Sequence, residues 1–360
     1  MEKEIEDSES QTLTLPDDLI FEHILPRLPV KPLTRFKSVS KSWLSTISNP
    51  KFAKTHLKLF TSPSPQFLLF SGNSDNHPIF TSITLDEHGR VEETFKFNFT
   101  FNGGPIHVLG CCNGLVCFFD KHYNFYICNP VTKQCSDVID CPQTPRGHIV
   151  VITAAFAYVS SIDDYKIVYL LGLSGGIVVE DIDLYTIYIF SLRNNRWDRL
   201  SIDEIDGSSI VPADVPAFVN DTLYWPSVCH CVGVNLVNSE LSRITIMYKD
   251  MMDAYKRCGG SDRLRLYGIK GRLSWCFGSH VWMLESDGVS WKKLYDLNRD
   301  GMKLLCVSET GKWLVLNRGE VALLDPSKPF DRQYQGGTSV GCPIVNAWNY
   351  KMSLVSPVLE

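Results

Sequence analysis

Four segments of this sequence share one device, a tight polar turn that feeds directly into a strand. Asn113-Gly114 runs into Leu115-Val116-Cys117, and Asn220-Asp221 into Thr222-Leu223-Tyr224-Trp225. Lys270-Gly271 runs into Arg272-Leu273-Ser274-Trp275, and Thr310-Gly311 into Lys312-Trp313-Leu314-Val315. A second device recurs among them: a strand, a polar turn and often a Trp, at Tyr126–Pro130, Tyr188–Trp197, Val281–Trp291 and Val321–Pro326. Short Val/Ile/Tyr/Phe/Trp runs between Gly, Asn and Asp turns read as antiparallel strands, and no long amphipathic helix interrupts them after Phe67. Leu223 and Leu273 occupy matching places fifty positions apart, close to the length of a kelch-type blade. At roughly 45–50 residues per blade, Phe67 to Trp348 holds about six. The expectation is an all-β, six-bladed propeller, with an irregular β-sandwich as the competing arrangement.

The stretch from Leu15 to Leu57 has a different texture. Pro16 suits the first turn of a helix, with Asp17 and Asp18 at its positive end. Leu19, Ile20, Ile24, Leu25 and Leu28 recur at near-helical spacing until Pro26 forces a kink or stop. Pro32 opens a second helix carrying Leu33, Phe36 and Val39. A third, from about Ser40, carries Trp43, Leu44 and Ile47 and ends at Asn49-Pro50. The basic residues Lys31, Arg35, Lys37 and Lys41 form either a solvated face or a means of steering an acidic partner. Three small helices cannot bury this many apolar residues alone. Domains near 40 residues usually lean on a disulfide, a metal or a partner, and this stretch has no Cys and only His23 and His56. A partner surface is therefore expected.

The expected organisation is an acidic, polar tail over residues 1–10, the helical module over 11–57, a Pro/Ser linker over 58–66, the β domain over 67–348 and a short tail over 349–360. The tail MEKEIEDSES is the opposite of a secretory or transit leader, and no apolar run approaches the roughly 18 residues of a membrane span. A net charge of -5 argues against sequence-wide nucleic-acid binding. Cytoplasm or nucleus is the expected location. Twelve Cys are present, six of them between Cys111 and Cys141, and Cys229 and Cys231 flank His230. No C-x-x-C pair occurs, so free buried thiols are expected, with zinc a minor alternative.

Residues 15–57 resemble the F-box, in the version found in the large plant family that joins it to an F-box-associated domain. The positions that carry the resemblance are Leu15-Pro16, Leu19-Ile20, Ile24-Leu25, Arg27–Lys31, Leu33, Arg35-Phe36, Val39–Trp43, Ile47, Pro50 and Phe52. The remainder is similar to that associated domain, through Cys112–Cys117, Asn129–Lys133, Asp163–Val168, Asn195–Trp197, Val281–Leu284 and Trp291–Leu294. The resemblance spans nearly the whole chain. It implies that the F-box docks a Skp-type adaptor and, through it, cullin and RING subunits. The chain would then be the substrate receptor of an SCF-type ubiquitin ligase, without cofactor or chemistry of its own. Leu15, Pro16, Leu19, Ile24, Leu25, Leu28 and Leu33 are the expected adaptor contacts, while Trp43 and Phe36 are expected in the module's core. Two departures stand out: Ser38, where family members often carry Cys, and a long apolar segment from Gly172 to Asp183.

Three motifs look catalytic but lack the context that catalysis needs. Gly172-Leu173-Ser174-Gly175-Gly176 matches the G-x-S-x-G elbow of serine hydrolases, but the apolar run Ile177-Val178-Val179 follows where a helix is needed. Ser286–Trp291 is similar to the Asp-box turn of sialidase propellers, with different spacing and no recurrence, so a hairpin turn is expected. The Asp163-Asp164 pair suits a turn better than acid/base work. A propeller hydrolase and an adaptor-binding scaffold without ubiquitination remain the alternatives. The substrate is not readable. Loops vary and carry function, and Tyr255, Lys256 and Arg257 are loop residues nominated on that ground.

Overall fold

Left-handed turn residues set the frame of the β domain. Asn113 and Gly114 have φ of 50° and 78°, Asn220 and Asp221 of 48° and 59°, and Lys270 and Gly271 of 51° and 69°. Positive φ at both central residues is the two-residue hairpin turn whose twist matches its flanking strands. Each of these pairs joins the first and second strands of a sheet, as its sequence implied. The computed structural model describes residues 15–74, 77–98, 104–142, 149–173, 185–201, 216–226, 230–245, 265–277, 280–296, 302–328, 337–340 and 344–358. Two compact units divide the chain, one ending at Thr61 and one beginning at Ser62, with Ser353–Val355 grouped with the first.

The second unit is a six-bladed propeller of four-stranded antiparallel sheets. Blade 1 holds β1 (Gln66–Ser74), β2 (His77–Leu85) and β3 (Val91–Asn98). Blade 2 holds β4 (Ile106–Cys112), β5 (Leu115–Asp120), β6 (Phe125–Asn129) and β7 (Gln134–Cys135). Blade 3 holds β8 (Ile149–Val159), β9 (Asp164–Leu173), β10 (Tyr185–Ser191) and β11 (Arg196–Ser201). Blade 4 holds β12 (Ala217–Val219), β13 (Thr222–Pro226), β14 (His230–Asn235) and β15 (Leu241–Thr245). Blade 5 holds β16 (Arg265–Ile269), β17 (Arg272–Phe277), β18 (His280–Leu284) and β19 (Trp291–Asp296). Blade 6 holds β20 (Lys303–Val307), β21 (Trp313–Asn317), β22 (Glu320–Leu324) and β23 (Thr338–Ser339).

The last strand, β24 (Asn346–Asn349), completes blade 1 by pairing with β1, so that Leu68 faces Trp348 and Phe70 faces Asn346. The two ends of the domain are thereby locked together. Leu223 and Leu273 do hold equivalent places, each second in its strand and paired with Phe218 and Gly268.

Apolar residues run continuously along the middle strands because each blade is covered on both faces. All six residues of β5 are buried. One core lies between blades 3 and 4, built by Val168, Leu170, Ile187 and Ile189 against Leu223, Trp225, Val232 and Val234. Blades 4 and 5 share another, with Ala217 and Val219 against Leu266, Leu273 and Trp275. The inner strands approach so closely that side chains would obstruct them: a Cβ on Gly268 of β16 would sit 3.0 Å from the Phe218 carbonyl oxygen on β12.

Blade 2 brings one correction. Cys128 and Cys135, expected to be free thiols, are joined as a disulfide. The β6–β7 register sets them directly opposite one another, with Cα atoms 4.0 Å apart. Cys111, Cys112, Cys117, Cys141, Cys231, Cys276 and Cys306 remain thiols outside any disulfide, and burial pushes the Cys112 and Cys117 thiols well above their ordinary range.

In the first unit, Pro26 shapes the opening helix. It has no N–H to give residue 22 and its ring crowds that carbonyl. Leu19–Ile24 widens into a π turn, closed by Leu25 N–H to the Ile20 carbonyl, and Leu25–Arg27 tightens into a 3-10 turn. Three α-helices follow: α1 (Val30–Phe36), α2 (Lys41–Ser48) and α3 (Pro50–Leu59). The second helix starts two residues before the expected Pro32. The further helix α3 begins where Asn49-Pro50 was expected only to end its predecessor. Asn49 terminates α2 and caps α3, accepting from Lys51 N–H at 2.8 Å, while Pro50 fills the first helical position.

Candidate functional site

The helical module is built around a small core: Leu25, Val30, Leu33, Ile47, Phe52 and Ala53 are all buried. His56 belongs to it as well. Its Nε2 donates to the Leu28 carbonyl at 2.8 Å, and its ring stacks on Phe60 at 5.2 Å and Phe52 at 6.4 Å. That bond ties α3 to the loop between the opening turns and α1. Ser40 caps α2 by accepting from Trp43 N–H at 3.2 Å. Trp43 meets Phe21 and Phe36 edge-on at 5.9 and 5.6 Å, which fixes α2 against the opening helix and α1.

Above this core lies an unusual amount of uncovered apolar surface. Of the fourteen large hydrophobic residues exposed among the described ones, six (Leu15, Leu19, Ile24, Val39, Leu44 and Leu59) belong to this small unit. Exposure at that density on so short a segment makes this unit the candidate interaction surface. The seven expected adaptor contacts separate by burial into three sets. Leu15, Pro16, Leu19 and Ile24 are exposed, at 59% for Leu15, 43% for Leu19 and 40% for Ile24. Leu28 is half-buried, whereas Leu25 and Leu33 are sealed in the core at 1% and 0% and support the surface from beneath. Val39 and Leu44 were expected as helix-stripe residues and are exposed instead. Their position on the solvent side needs the path of α1 and α2, which no local pattern supplies. Around them, Arg35 and Lys41 are exposed, and partial burial lowers the Lys37 pKa from its ordinary value.

The propeller contributes a second feature, an axial cavity of about 260 Å³ between the inner strands β12, β16, β20 and β24. Phe218, Leu305 and Trp348 give it apolar walls, and Arg265, Asn346 and Asn349 add polar groups. Among the described residues, no group of three His, Cys, Asp or Glu side chains could hold a metal ion. The Asp163-Asp164 and Ser286–Trp291 motifs sit on the β8–β9 and β18–β19 hairpins. Gly172 and Leu173 end β9, and Ser174 lies outside the described residues, as do Tyr255, Lys256 and Arg257. Asp287 shapes the β18–β19 turn, accepting from the N–H groups of Val289 and Ser290 at 2.9 and 2.8 Å. Asp164 is buried and structural, accepting from Ser191 Oγ at 2.6 Å and from Arg193 N–H at 2.9 Å.

Residues 13–55 match the F-box domain family, and residues 80–236 match the F-box associated beta propeller domain family. The chain is an F-box protein with an F-box associated propeller. It is 27% identical to the F-box/kelch-repeat protein At3g23880 of Arabidopsis thaliana, over 94% of this chain and 94% of that one. The Arabidopsis F-box/kelch-repeat protein At1g12870 is 26% identical over 79% of this chain and 71% of its own. F-box protein CPR1 of the same plant is 30% identical over 52% of this chain and 45% of its own. The F-box match and the exposed apolar surface fall on the same module. The propeller match covers blades 2 and 3 whole, with most of blade 4 and part of blade 1. No helix among the described residues is long and apolar enough to cross a membrane.

Proposed function

We propose that this F-box protein is a substrate receptor of an SCF-type ubiquitin ligase. Its F-box docks a Skp-type adaptor, which links it to cullin and RING subunits, and its propeller recruits a protein substrate in the cytoplasm or nucleus. The exposed set Leu15, Pro16, Leu19 and Ile24, within a module that matches the F-box family, carries this reading. Burying a Leu-sized side chain is worth about 1.5–3 kcal/mol, so a handful of such residues suffices to anchor a stable interface. Leu28 adds to the edge of this surface, and Leu25 and Leu33 hold its shape. The exposed Arg35 and Lys41 favour an acidic adaptor face by steering the encounter.

The receptor performs no bond chemistry in this reading. It raises the concentration of a bound substrate near a ubiquitin-charged conjugating enzyme, a gain of proximity alone. Co-expression with a Skp-type adaptor should give a stable complex that the double change Leu15→Ala/Pro16→Ala disrupts by at least about tenfold in affinity. Failure of the intact chain to bind any such adaptor overturns the proposal. Cullin in the purified complex separates the ligase receptor from a scaffold that binds adaptor without ubiquitination.

A further inference from the structure

The helical unit is strongly basic in an acidic chain. From His23 to Ser74 there is no Asp or Glu, while eight Lys and Arg residues stand between Arg27 and Lys58. The chain as a whole has a net charge of -5. Three of these cations, Arg35, Lys37 and Lys41, bracket Ser38 within three residues on either side.

Ser38 lies in the turn between α1 and α2 and is exposed, as are its neighbours Val39 and Ser40. Val39 is one of the six exposed apolar residues of the unit, so the hydroxyl stands at the candidate docking surface. Few bonds hold the turn. Ser38 N–H donates to the Arg35 carbonyl at 3.1 Å and Val39 N–H to the Phe36 carbonyl at 3.0 Å. The Ser38 hydroxyl donates to the Arg35 carbonyl at 2.8 Å. The flanking helices have seven and eight residues, lengths that depend on tertiary packing rather than on helix propensity. Such a segment opens locally without unfolding the rest. An accessible hydroxyl three residues after an Arg, with further cations around it, suits a kinase that selects substrates by their charge pattern.

We propose that Ser38 is the phosphoacceptor of an Arg-directed protein kinase, and that its phosphate turns the docking face from attractive to repulsive toward an acidic partner. The γ-phosphoryl group of ATP passes to Ser38 Oγ. A new O–P bond forms, the bond from the γ-phosphorus to the bridging oxygen breaks, ADP leaves, and the hydroxyl proton goes to the catalytic carboxylate of the kinase. The phosphate adds a charge of about −1.5 to −2 at pH 7. It draws on Arg35, Lys37 and Lys41, the cations that would otherwise steer an acidic surface inward. The second half of the proposal rests on the adaptor-docking reading; the phosphoacceptor itself does not.

The full chain is treated with ATP and the catalytic subunit of cAMP-dependent protein kinase. Fragment mass mapping should place phosphate on Ser38, and Arg35→Gln should slow its transfer at least about tenfold. No phosphate on Ser38 while a control peptide is modified, or phosphate on Ser40 in its place, overturns the site. Retention on heparin reads the charge change with no adaptor present. The phosphorylated chain should elute at lower salt, by more than Ser38→Ala treated in the same way; equal elution overturns the charge reversal. Affinity for a Skp-type adaptor should fall at least about tenfold on phosphorylation, mainly through the on-rate, and the loss should shrink as salt is raised. Ser38→Asp should reproduce part of the loss and Ser38→Ala none of it. A thermal melt checks that each variant is folded. Unchanged adaptor affinity after phosphorylation overturns the switch. An unmodified chain that binds no adaptor overturns the docking reading instead, and the mass and heparin measurements still decide the phosphoacceptor.

Discussion

Lys166 Nζ lies 3.2 Å from Asp164 Oδ2 in blade 3, with 11% and 3% of the two side chains exposed. Asp164 opens β9, and its carboxylate also accepts from Ser191 Oγ and Arg193 N–H, so one carboxylate joins the start of β9 to the β10–β11 turn. Removing one partner of a buried ion pair strands the other, at a cost of about 3–5 kcal/mol. Asp164→Ala should therefore lower the thermal midpoint far more than Lys166→Met, which leaves the carboxylate its two neutral donors. Equal shifts for both variants in a thermal melt would contradict this ranking.

The Trp that recurs after the third strand acts between blades. Trp291 on β19 donates from Nε1 to the Thr245 carbonyl on β15 at 3.1 Å, and Trp197 on β11 donates to the Asp140 carbonyl, beyond β7, at 2.9 Å. In both cases the outer strand of one blade reaches the blade before it. Trp291 is also buried, edge-on to Trp275 at 6.5 Å. Trp291→Phe should cost about 1 kcal/mol through the lost hydrogen bond, and Trp291→Ala about 3–5 kcal/mol through the cavity it leaves. Denaturant unfolding followed by fluorescence measures both.

Much of this architecture was legible because it is written in local chemistry. Asn113-Gly114 and Lys270-Gly271 announce hairpins because the left-handed region accepts few residues other than Gly and Asn. The spacing of Leu223 and Leu273 then sets the blade length. Other features depend on distant partners. Gly268 responds to the backbone of β12, the pairing of β24 with β1 joins the two ends of the domain, and the Cys128–Cys135 bond needs the β6–β7 register. Helix α3 was missed for a different reason, since Asn-Pro stops one helix and starts another with the same two residues. At the candidate surface the sequence named the apolar residues but did not separate Leu25 and Leu33 from Leu15 and Leu19. Interrupted by Pro26, Pro29 and Pro32, the module never completes a stripe long enough to show which side faces inward.

Acid should open the β18–β19 turn late. Hydrogen bonds from the Ser290 side chain and from the Ser290 and Val289 N–H groups hold the Asp287 pKa down to about 2. A carboxylate whose folded pKa is depressed stabilises the fold above its unfolded value, near 3.9, and loses that contribution as pH falls through the folded one. The turn should remain formed at pH 4 and loosen toward pH 2. Amide hydrogen exchange at Val289 and Ser290 across that window reads the change, and Asp287→Ala should show fast exchange at every pH. Protection lost already at pH 4 would show that these bonds do not hold the carboxylate ionised.

Leu19 and Leu25 are six positions apart and should fail in opposite ways. Leu25 is sealed in the module's core, so Leu25→Ala removes packing that nothing replaces and should destabilise the helical unit by about 2–5 kcal/mol. Leu19 is exposed, and Leu19→Ala should leave the thermal midpoint of the free chain nearly unchanged. Its loss should be felt when a Skp-type adaptor binds, as a fall in affinity of about tenfold or more from the apolar area no longer buried. Helical circular dichroism together with adaptor titration separates the two effects. A Leu19→Ala chain that melts early, or that binds adaptor as tightly as the parent, would move the docking surface away from the opening helix and toward Val39 and Leu44.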